Sequence, residues 1–411
     1  MNKSQLFAVE KTVDGHNIIL LGQSGTGKSF VVKEIQKKLS GAGKNVSVTG
    51  TTGIASLNVK GCTVHSWSGI GDGRYDSDEL CQKLLTDEHF VSYKQNILKA
   101  DSLIIDEISM LSLKHFEQIE YVCRTIKHKD LYFGGIQVIA SGDFFQLPPV
   151  PDQLTSDSGE YCFKSNIFAM VFGHKIVFDE VIRQDELDFI KAINDVSKGE
   201  IPEDTKNLIL RLQRPLSPGD DPIRPCGRNF DIFNACKLME MDGVSKCYQS
   251  IDEDVNKLCS KMCVPKLLHL KIGCPVMLVK NISSALVNGL QGKVVAMKED
   301  SVTVDFENDL VQLGRETFTV YSSIDKKTVA TRHQIPLILS FSITIHKAQG
   351  LTLDRVEVDA SNIFAPGQLG VAMGRARNKK GLRIISFNSN SVIPQRSSIY
   401  EFYNKNFVQF D

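Results

Sequence analysis

Lys28 and Ser29 close the stretch GQSGTGKS at 22–29, behind Gly22, Gly25 and Gly27. The spacing is G-x-x-x-x-G-K-[ST], set between the apolar run NIILL and the helical pattern KSFVVKEIQKKL. Glycines let a loop curl until its N–H groups point inward, which makes a cradle for phosphates. Residues Gly22, Ser24, Gly25, Thr26 and Gly27 would supply that cradle, Lys28 would reach the outer phosphates, and Ser29 would hold Mg²⁺. A plain Gly-rich turn before a surface helix is the alternative, and the flanking strand and helix weigh against it. A second pair of groups completes the chemistry. LIIDE at 103–107 is an apolar run ending in two acids. Asp106 would bind Mg²⁺ through water, and Glu107 would orient and activate the attacking water. Many strands end in acids, but an acid pair together with a phosphate loop points to a nucleoside triphosphatase.

Other residues extend that reading. In SGDFFQLPPV at 141–150, Gln146 is placed to sense a γ-phosphate or the water. Phe144, Phe145, Pro148 and Pro149 form a stiff apolar ledge that either holds a base or packs the lobe. Phosphoryl transfer needs positive charge on its transition state. Arg183 in EVIRQDELDF and Arg375 in GVAMGRARN are candidates, each with a surface ion pair as the ordinary alternative.

The elements that must carry these residues alternate. Strand patterns at 17–22, NVSVTG, DSLIIDE and GIQVIASGD are interleaved with helical ones, among them SLKHFEQIEYVCRTIK. Such alternation predicts a parallel sheet covered by helices, with ligands beyond the carboxyl ends of the strands. Every motif above falls at such an end. Residues 58–95 are polar, contain Gly, and read as an insertion. The Pro- and Gly-dense stretch 214–228 reads as a connection within a second lobe. Residues 293–332 alternate with period two between tight turns, which predicts a small antiparallel β-barrel inserted into an α/β lobe.

Bulk properties narrow the class. Net charge is zero over 411 residues, so no global basic field announces a polyanion, although a local groove would suffice. Residues 347–397 carry eight Lys and Arg against three acids, a modest local basic stretch. Ten Cys lie without a paired framework, and Cys259 and Cys263 have no second pair at zinc-finger spacing. Reduced, mostly core thiols in an intracellular protein are expected. No apolar run is long enough to span a membrane, and the N-terminal stretch lacks the look of a leader.

Taken together, the motifs resemble those of the Pif (petite integration frequency) group of superfamily one, B type, DNA helicases. The resemblance covers about residues 1–390. It rests on GQSGTGKS, TGTTGIASLNVKGCTVHSWSGIG, LIIDEISML, FGGIQVIASGDFFQLPPV, VIRQ, LVNGLQGKVV, QIPLILSFSITIHKAQGLTLD and GVAMGRAR, in the family's order. It implies two RecA-like P-loop NTPase lobes with an inserted all-β, Src-homology-like barrel. Residues 1–180 would be the first lobe, 181–292 with 333–411 the second, and 293–332 the barrel; 68–95, inside the insertion, would be a wedge. It also implies roles. Lys28 and Ser29 match the phosphate and Mg²⁺ pair, Asp106 and Glu107 the catalytic acids, and Gln146 the sensor. Arg183 and Arg375 match the arginine fingers, Gln349 and Gly350 the link between ATP and DNA, and Gln5 the adenine reader. Thr52, His65, Trp67, His346 and Lys347 match DNA contacts; Trp67, the chain's one Trp, would offer an exposed stacking face. Phe145 and Pro148 are added from the ledge. The implied activity is ATP- and Mg²⁺-dependent 5′ to 3′ translocation of a monomer on single-stranded and forked DNA, in genome maintenance. Nucleus or mitochondrion would be the compartment in a eukaryote.

Two departures stand out. Gly370 and Gly374 occupy positions where the family usually carries Tyr and Ser, which puts coupling to DNA in doubt. Gln23 and Ser24 replace the usual Ser-Ala in the phosphate loop. The chain begins almost at the first motif and reads as a minimal protein or a fragment. A degenerate DNA-binding ATPase, a nucleotide-dependent scaffold and an RNA helicase are the rival readings; DNA-stimulated hydrolysis and unwinding separate them.

Overall fold

The computed structural model describes residues 1–23, 25–180, 186–219, 222–227, 230–254, 259, 262–283, 285–306, 309–322 and 327–404. The chain forms two units, Met1–Ile201 with the described part of Val392–Asp411, and Pro202–Ser391.

In the first unit the elements run α1 (Lys3–Val13), β1 (Ile18–Gly22), α2 (Lys28–Gly41), β2 (Val46–Gly50), α3 (Gly53–Asn58), β3 (Cys62–Thr63) and α4 (Val64–Ser68). Then come α5 (Ser77–Thr86), α6 (Val91–Lys99), β4 (Ser102–Asp106), α7 (Leu113–Lys127), β5 (Gln137–Gly142), α8 (Asn166–Val171), β6 (His174–Phe178) and α9 (Leu187–Lys198). The six strands lie parallel in the order β3-β2-β4-β5-β1-β6. Strands β1, β4 and β5 are buried along their whole length, which is why their centres read as short apolar runs instead of alternating ones. Helix α2 buries Val31, Val32, Ile35 and Leu39 on one sheet face. Helix α7 buries Phe116, Ile119, Val122, Cys123 and Ile126 on the other. Helices α5 and α6, from the expected insertion, add Leu80, Leu84 and Ile97 to that second core.

The second unit follows with α10 (Glu203–Arg211), β7 (Arg224–Cys226), α11 (Phe230–Glu240), β8 (Lys246–Gln249), β9 (Ile251–Asp254), β10 (Leu267–Leu270) and β11 (Pro275–Leu278). It continues with β12 (Gln291–Met297), β13 (Val302–Phe306), β14 (Asp309–Leu313), β15 (Glu316–Ser322), β16 (Lys327–Gln334), β17 (Leu337–Leu339) and β18 (Ser342–Thr344). It closes with α12 (Ile345–Ala348), β19 (Val356–Asp359), α13 (Gln368–Met373) and β20 (Leu382–Ile385). Parallel pairs β18–β7 and β19–β20 are joined by a parallel bridge between Ile223 and Val356. That is the α/β part. The all-β part is wider than 293–332. Its sheet β14-β13-β12-β11-β17 recruits strands from both sides of that range, and β15-β16 pairs with β9. Hairpins announce themselves by alternation within one stretch, whereas β9, β11 and β17 are short and pair with distant partners.

The boundary near 181 also moves. Helix α9 belongs to the first unit, and so does the last helix among the described residues, α14 (Ser397–Asn404). Ile399 and Phe402 of α14 join the core that α7 covers, and the Phe402 ring stacks on Phe163 at 4.5 Å. The apolar spacing of α14 is visible in sequence, but spacing alone names no partner.

An ion pair between a buried guanidinium and a half-buried carboxylate ties β9 to β16. Arg332 donates from Nε and Nη2 to the two oxygens of Asp252 at 2.8 and 2.7 Å, and from Nη1 to the Val264 carbonyl at 2.8 Å. The Arg332 guanidinium holds the Asp252 carboxyl well down, at about 2. Its contribution is therefore whole above the ordinary carboxylate range and disappears as pH falls through about 2. Asp252→Asn strands a buried guanidinium and is expected to cost about 3 kcal/mol at pH 7. Urea unfolding of both proteins checks this, and the gap between them should close as the pH is lowered from 4 toward 2.

Candidate functional site

The phosphate loop joins β1 to α2, at the carboxyl edge of the first unit's sheet. Its glycines are there for backbone reasons. Gly25 and Gly27 have φ of 87° and 85°, in the left-handed region, and Gly27 is the N-cap of α2. Gly22 has φ of 148°, and a Cβ on it would lie 2.4 Å from the Phe178 carbonyl oxygen. Thr26 is fully buried and its hydroxyl donates to the Gln23 carbonyl at 2.9 Å. Lys28 Nζ donates to the Gly22 and Gln23 carbonyls at 2.5 and 2.9 Å. Ser29 is exposed at the first turn of α2. The fourteen-residue α2 has no acid in its first turn, so its positive end is left for an anion.

Two buried carboxylates feel the Lys28 charge. Asp106 ends β4 and accepts a hydrogen bond from the Ser141 hydroxyl. Burial pushes its carboxyl up, while the Ser141 bond and Lys28 pull it down. Asp143, just past β5, is also pushed up by burial and pulled down by Lys28. Glu107 follows Asp106 at φ 56° and ψ 41°, a left-handed position that a Glu rarely adopts. The Thr51 hydroxyl donates to its carbonyl at 2.9 Å, and its own N–H donates to Asp106 Oδ1 at 3.1 Å. The turn leaves Glu107 half-buried beside a buried Asp106. Gln146 is buried, with Nε2 donating to Asp143 Oδ2 at 3.4 Å. Asp143 was not singled out in the sequence, although it stands in the same SGDFFQ motif as Gln146. Its signal was an acid at a strand end, the same signal that marked Asp106.

Gln5 is tied to this loop as well. Its Nε2 donates to the Thr26 carbonyl at 3.2 Å, and its Oε1 accepts from the Asn2 N–H at 3.2 Å in a capping box on α1. Ser24 and Arg183 lie outside the described residues.

The expected DNA contacts divide. Thr52 caps α3, its hydroxyl accepting from the Ala55 N–H at 3.1 Å. Trp67 is 3% exposed, which corrects the exposed stacking face. Val64, Trp67 and Ser68 share the inward stripe of α4, and the small polar neighbours are its capping groups: Thr63 caps the helix and Ser68 bonds back to the Val64 carbonyl. His65 packs edge-on against His115 at 5.2 Å. Phe145 is half-buried, its ring stacked on Tyr403 at 4.7 Å and 21°, and the ledge packs inward around a fully buried Phe144, which is the packing alternative weighed for it. Pro148 is half-buried.

In the second unit, His346 and Lys347 sit on the one-turn α12, half-buried, and burial lowers both. Lys347 faces Asp231 and Cys263 across a cavity of about 1350 Å³. Gln349 is buried beside Gly350, whose φ is 84°. Arg375 is buried, donating to the Val371 and Leu351 carbonyls at 2.8 and 3.1 Å. This excludes the solvated surface pair weighed for it. The basic stretch is partly neutralised within its own fold: Glu357 takes both Arg224 and Arg383, and Asp354 takes Arg377.

Comparison with known proteins decides the family. A family model described as PIF1-like helicase matches residues 3–207, and one described as DNA helicase Pif1, 2B domain, matches 253–297. The crystal structure of Pif1 helicase from Candida albicans superposes with a TM-score of 0.85 at 30% identity, covering 98% of each chain. The chain belongs to the PIF1-like helicase family. A Bacteroides Pif1 helicase in complex with ADP-AlF3 and ssDNA superposes with a TM-score of 0.83 at 30% identity, covering 98% of this chain and 96% of that one. ATP-dependent DNA helicase PIF1 of Danio rerio is 33% identical over 420 residues, covering 98% of this chain and 64% of the relative. That of Homo sapiens is 32% identical over 406 residues, covering 95% and 62%. The chain thus spans under two thirds of these relatives' length. Its fold is that of the PIF1-like family: RecA-like α/β lobes with an inserted all-β part, the 2B match starting at residue 253, where β9 lies.

Two outcomes test the local geometry. Gly22→Ala must part β1 from β6 and should cost on the order of 3 kcal/mol, read by thermal unfolding, with weakened binding of a fluorescent ATP analogue. His65 is held down at about 3 by burial first and by neighbouring His115 second. An unfolded His protonates near 6.5, so the stability from neutral His65 is whole above about pH 6.5. It is lost below that pH at up to about 1.4 kcal/mol per pH unit. Replacing His65 by Gln should flatten the stability profile of the chain between pH 6.5 and 4.

Proposed function

We propose that the chain is the motor of an ATP-dependent DNA helicase that translocates 5′ to 3′ on single-stranded DNA and unwinds forked duplexes, acting as a monomer. The observation that carries this reading is the convergence of Lys28, Asp106, Glu107, Asp143 and Gln146 at the carboxyl ends of β1, β4 and β5. Family membership supplies the DNA substrate.

In this reading the loop N–H groups and the end of α2 take the phosphates of ATP. Lys28 leaves the Gly22 and Gln23 carbonyls for the outer phosphates, which attract it more strongly. The donor set of one hydroxyl and one carboxylate, Ser29 and Asp106, suits Mg²⁺, which would offset charge on the outer phosphates when bound. Glu107, turned out by its left-handed backbone, orients the attacking water and accepts its proton. Gln146 reports the γ-phosphate. Gln5 borders the loop where the base would lie. Arg183 and Arg375 serve as fingers, and Gln349 and Gly350 couple ATP to the track. The track itself is held by Thr52, His65, Pro148, His346 and Lys347. Binding that favours one state of the motor over another converts hydrolysis into a step. Genome maintenance in nucleus or mitochondrion is the setting the family suggests for a eukaryotic member.

The test is ATP hydrolysis with and without single-stranded DNA, together with unwinding of forks bearing only a 5′ or only a 3′ tail. DNA should stimulate hydrolysis and only the 5′ tail should support unwinding. Glu107→Gln should lower turnover by about 10² or more while leaving ATP binding intact. Stimulation without unwinding would identify a DNA-bound ATPase whose coupling fails at Gly370 and Gly374. No response to DNA would overturn the proposal.

A further inference from the structure

We propose that Tyr403, on the last helix, is a positioning residue for ATP hydrolysis: it holds Asp143, and through Asp143 it holds Gln146. The inference rests on the ATPase reading above and adds a group outside all the motifs.

One phenol oxygen makes two bonds to the loop after β5. Tyr403 Oη donates to Asp143 Oδ1 at 3.3 Å and accepts from the Phe144 N–H at 3.2 Å. A neutral phenol offers one hydrogen and two lone pairs, so both bonds form at once. Asp143 also accepts from the Phe145 N–H at 3.1 Å and from Gln146 Nε2 at 3.4 Å. Each donor matters, because Asp143 is only 4% exposed and water does little for it. The Tyr403 ring stacks on Phe145, and Gln395 donates to the Phe145 and Ser197 carbonyls at 2.8 and 2.7 Å. The loop that carries Gln146 is therefore gripped by residues 395–403 and not by its own neighbours alone.

The chemistry that follows concerns Lys28. Its charge reaches Asp143 as well as Asp106. With the Tyr403 hydroxyl in place, Asp143 has a fixed orientation and Gln146 a fixed anchor. Without it, the carboxylate is short of a donor, and the cation whose charge reaches it is Lys28, which the phosphates of ATP need. The bound nucleotide restores the attraction of Lys28 to phosphate, but Gln146 is no longer held for the transition state.

The experiment is steady-state ATP hydrolysis by the full chain with single-stranded DNA present. Four variants are compared with wild type: Tyr403→Phe, Gln146→Ala, the double variant, and Tyr400→Phe. Tyr403→Phe keeps the ring on Phe145, so α14 stays docked. The expected result is a kcat about tenfold lower, the effect of one lost hydrogen bond to a charged group, with KM for ATP within about twofold. The double variant should be no slower than Gln146→Ala alone, because both lesions act on one group. Tyr400→Phe removes a different bond of α14, to the Lys198 carbonyl, and should lower the melting temperature without lowering kcat. Unchanged kcat in Tyr403→Phe, multiplicative losses in the double variant, or an equal kcat loss in Tyr400→Phe would each overturn the inference while leaving the ATPase reading intact. A wild-type chain that hydrolyses no ATP overturns that reading, and this inference with it.

Discussion

Lys28 is the charge around which the first unit is arranged. An ammonium at the rim of a buried sheet is stable only where dipoles or anions face it. Here the Gly22 and Gln23 carbonyls accept its protons, and Asp106 and Asp143 lie within reach of its field. The dependence runs both ways, since two desolvated carboxylates near each other are costly without a cation. Strands β1, β4 and β5 must therefore end at one level, and the parallel register that pairs Ile18 with Ile139 and Ile104 with Ile139 achieves this. On the proposed function, ATP enters as a better partner for the same ammonium, and the carboxylates are left to water and metal.

The second unit meets buried charge with a different device. Arg332 is locked by a two-point pair to Asp252 and by the Val264 carbonyl, so it is fixed where Lys28 is poised to move. The planar guanidinium suits a permanent bond between strands, and the flexible ammonium suits exchange of one partner for another. Lys347 is closer to the second kind: half-buried, facing Asp231 and Cys263, on a helix of a single turn.

The α/β frame was legible because it is written locally. Buried parallel strands show as apolar runs, the phosphate loop as a glycine spacing, and α2 and α7 as 3.6-residue stripes. The acids at strand ends are legible for the same reason, and Asp143 carries the same strand-end signal as Asp106. What escaped was decided by distant partners. Trp67 was read from its small polar neighbours, but those residues cap a one-turn helix whose inward stripe is the Trp itself. The Phe145 ledge leaves base-holding and packing both open in sequence, because the ring that packs on it, Tyr403, lies more than 250 positions away. The all-β part was bounded by its hairpins, while β9, β11 and β17 are too short to carry a period.

The return of the chain to its first unit has a consequence for synthesis. Residues Pro202–Ser391 intervene between two parts of one core. The ribosome adds roughly 5–20 residues per second, so the aromatic cluster around Phe144, Phe163 and Phe168 waits roughly twelve to fifty seconds for Phe402. Of the two units, the first starts to emerge before the second and is completed after it. During that interval the aromatic face that Phe402 covers is open to whatever binds nascent chains.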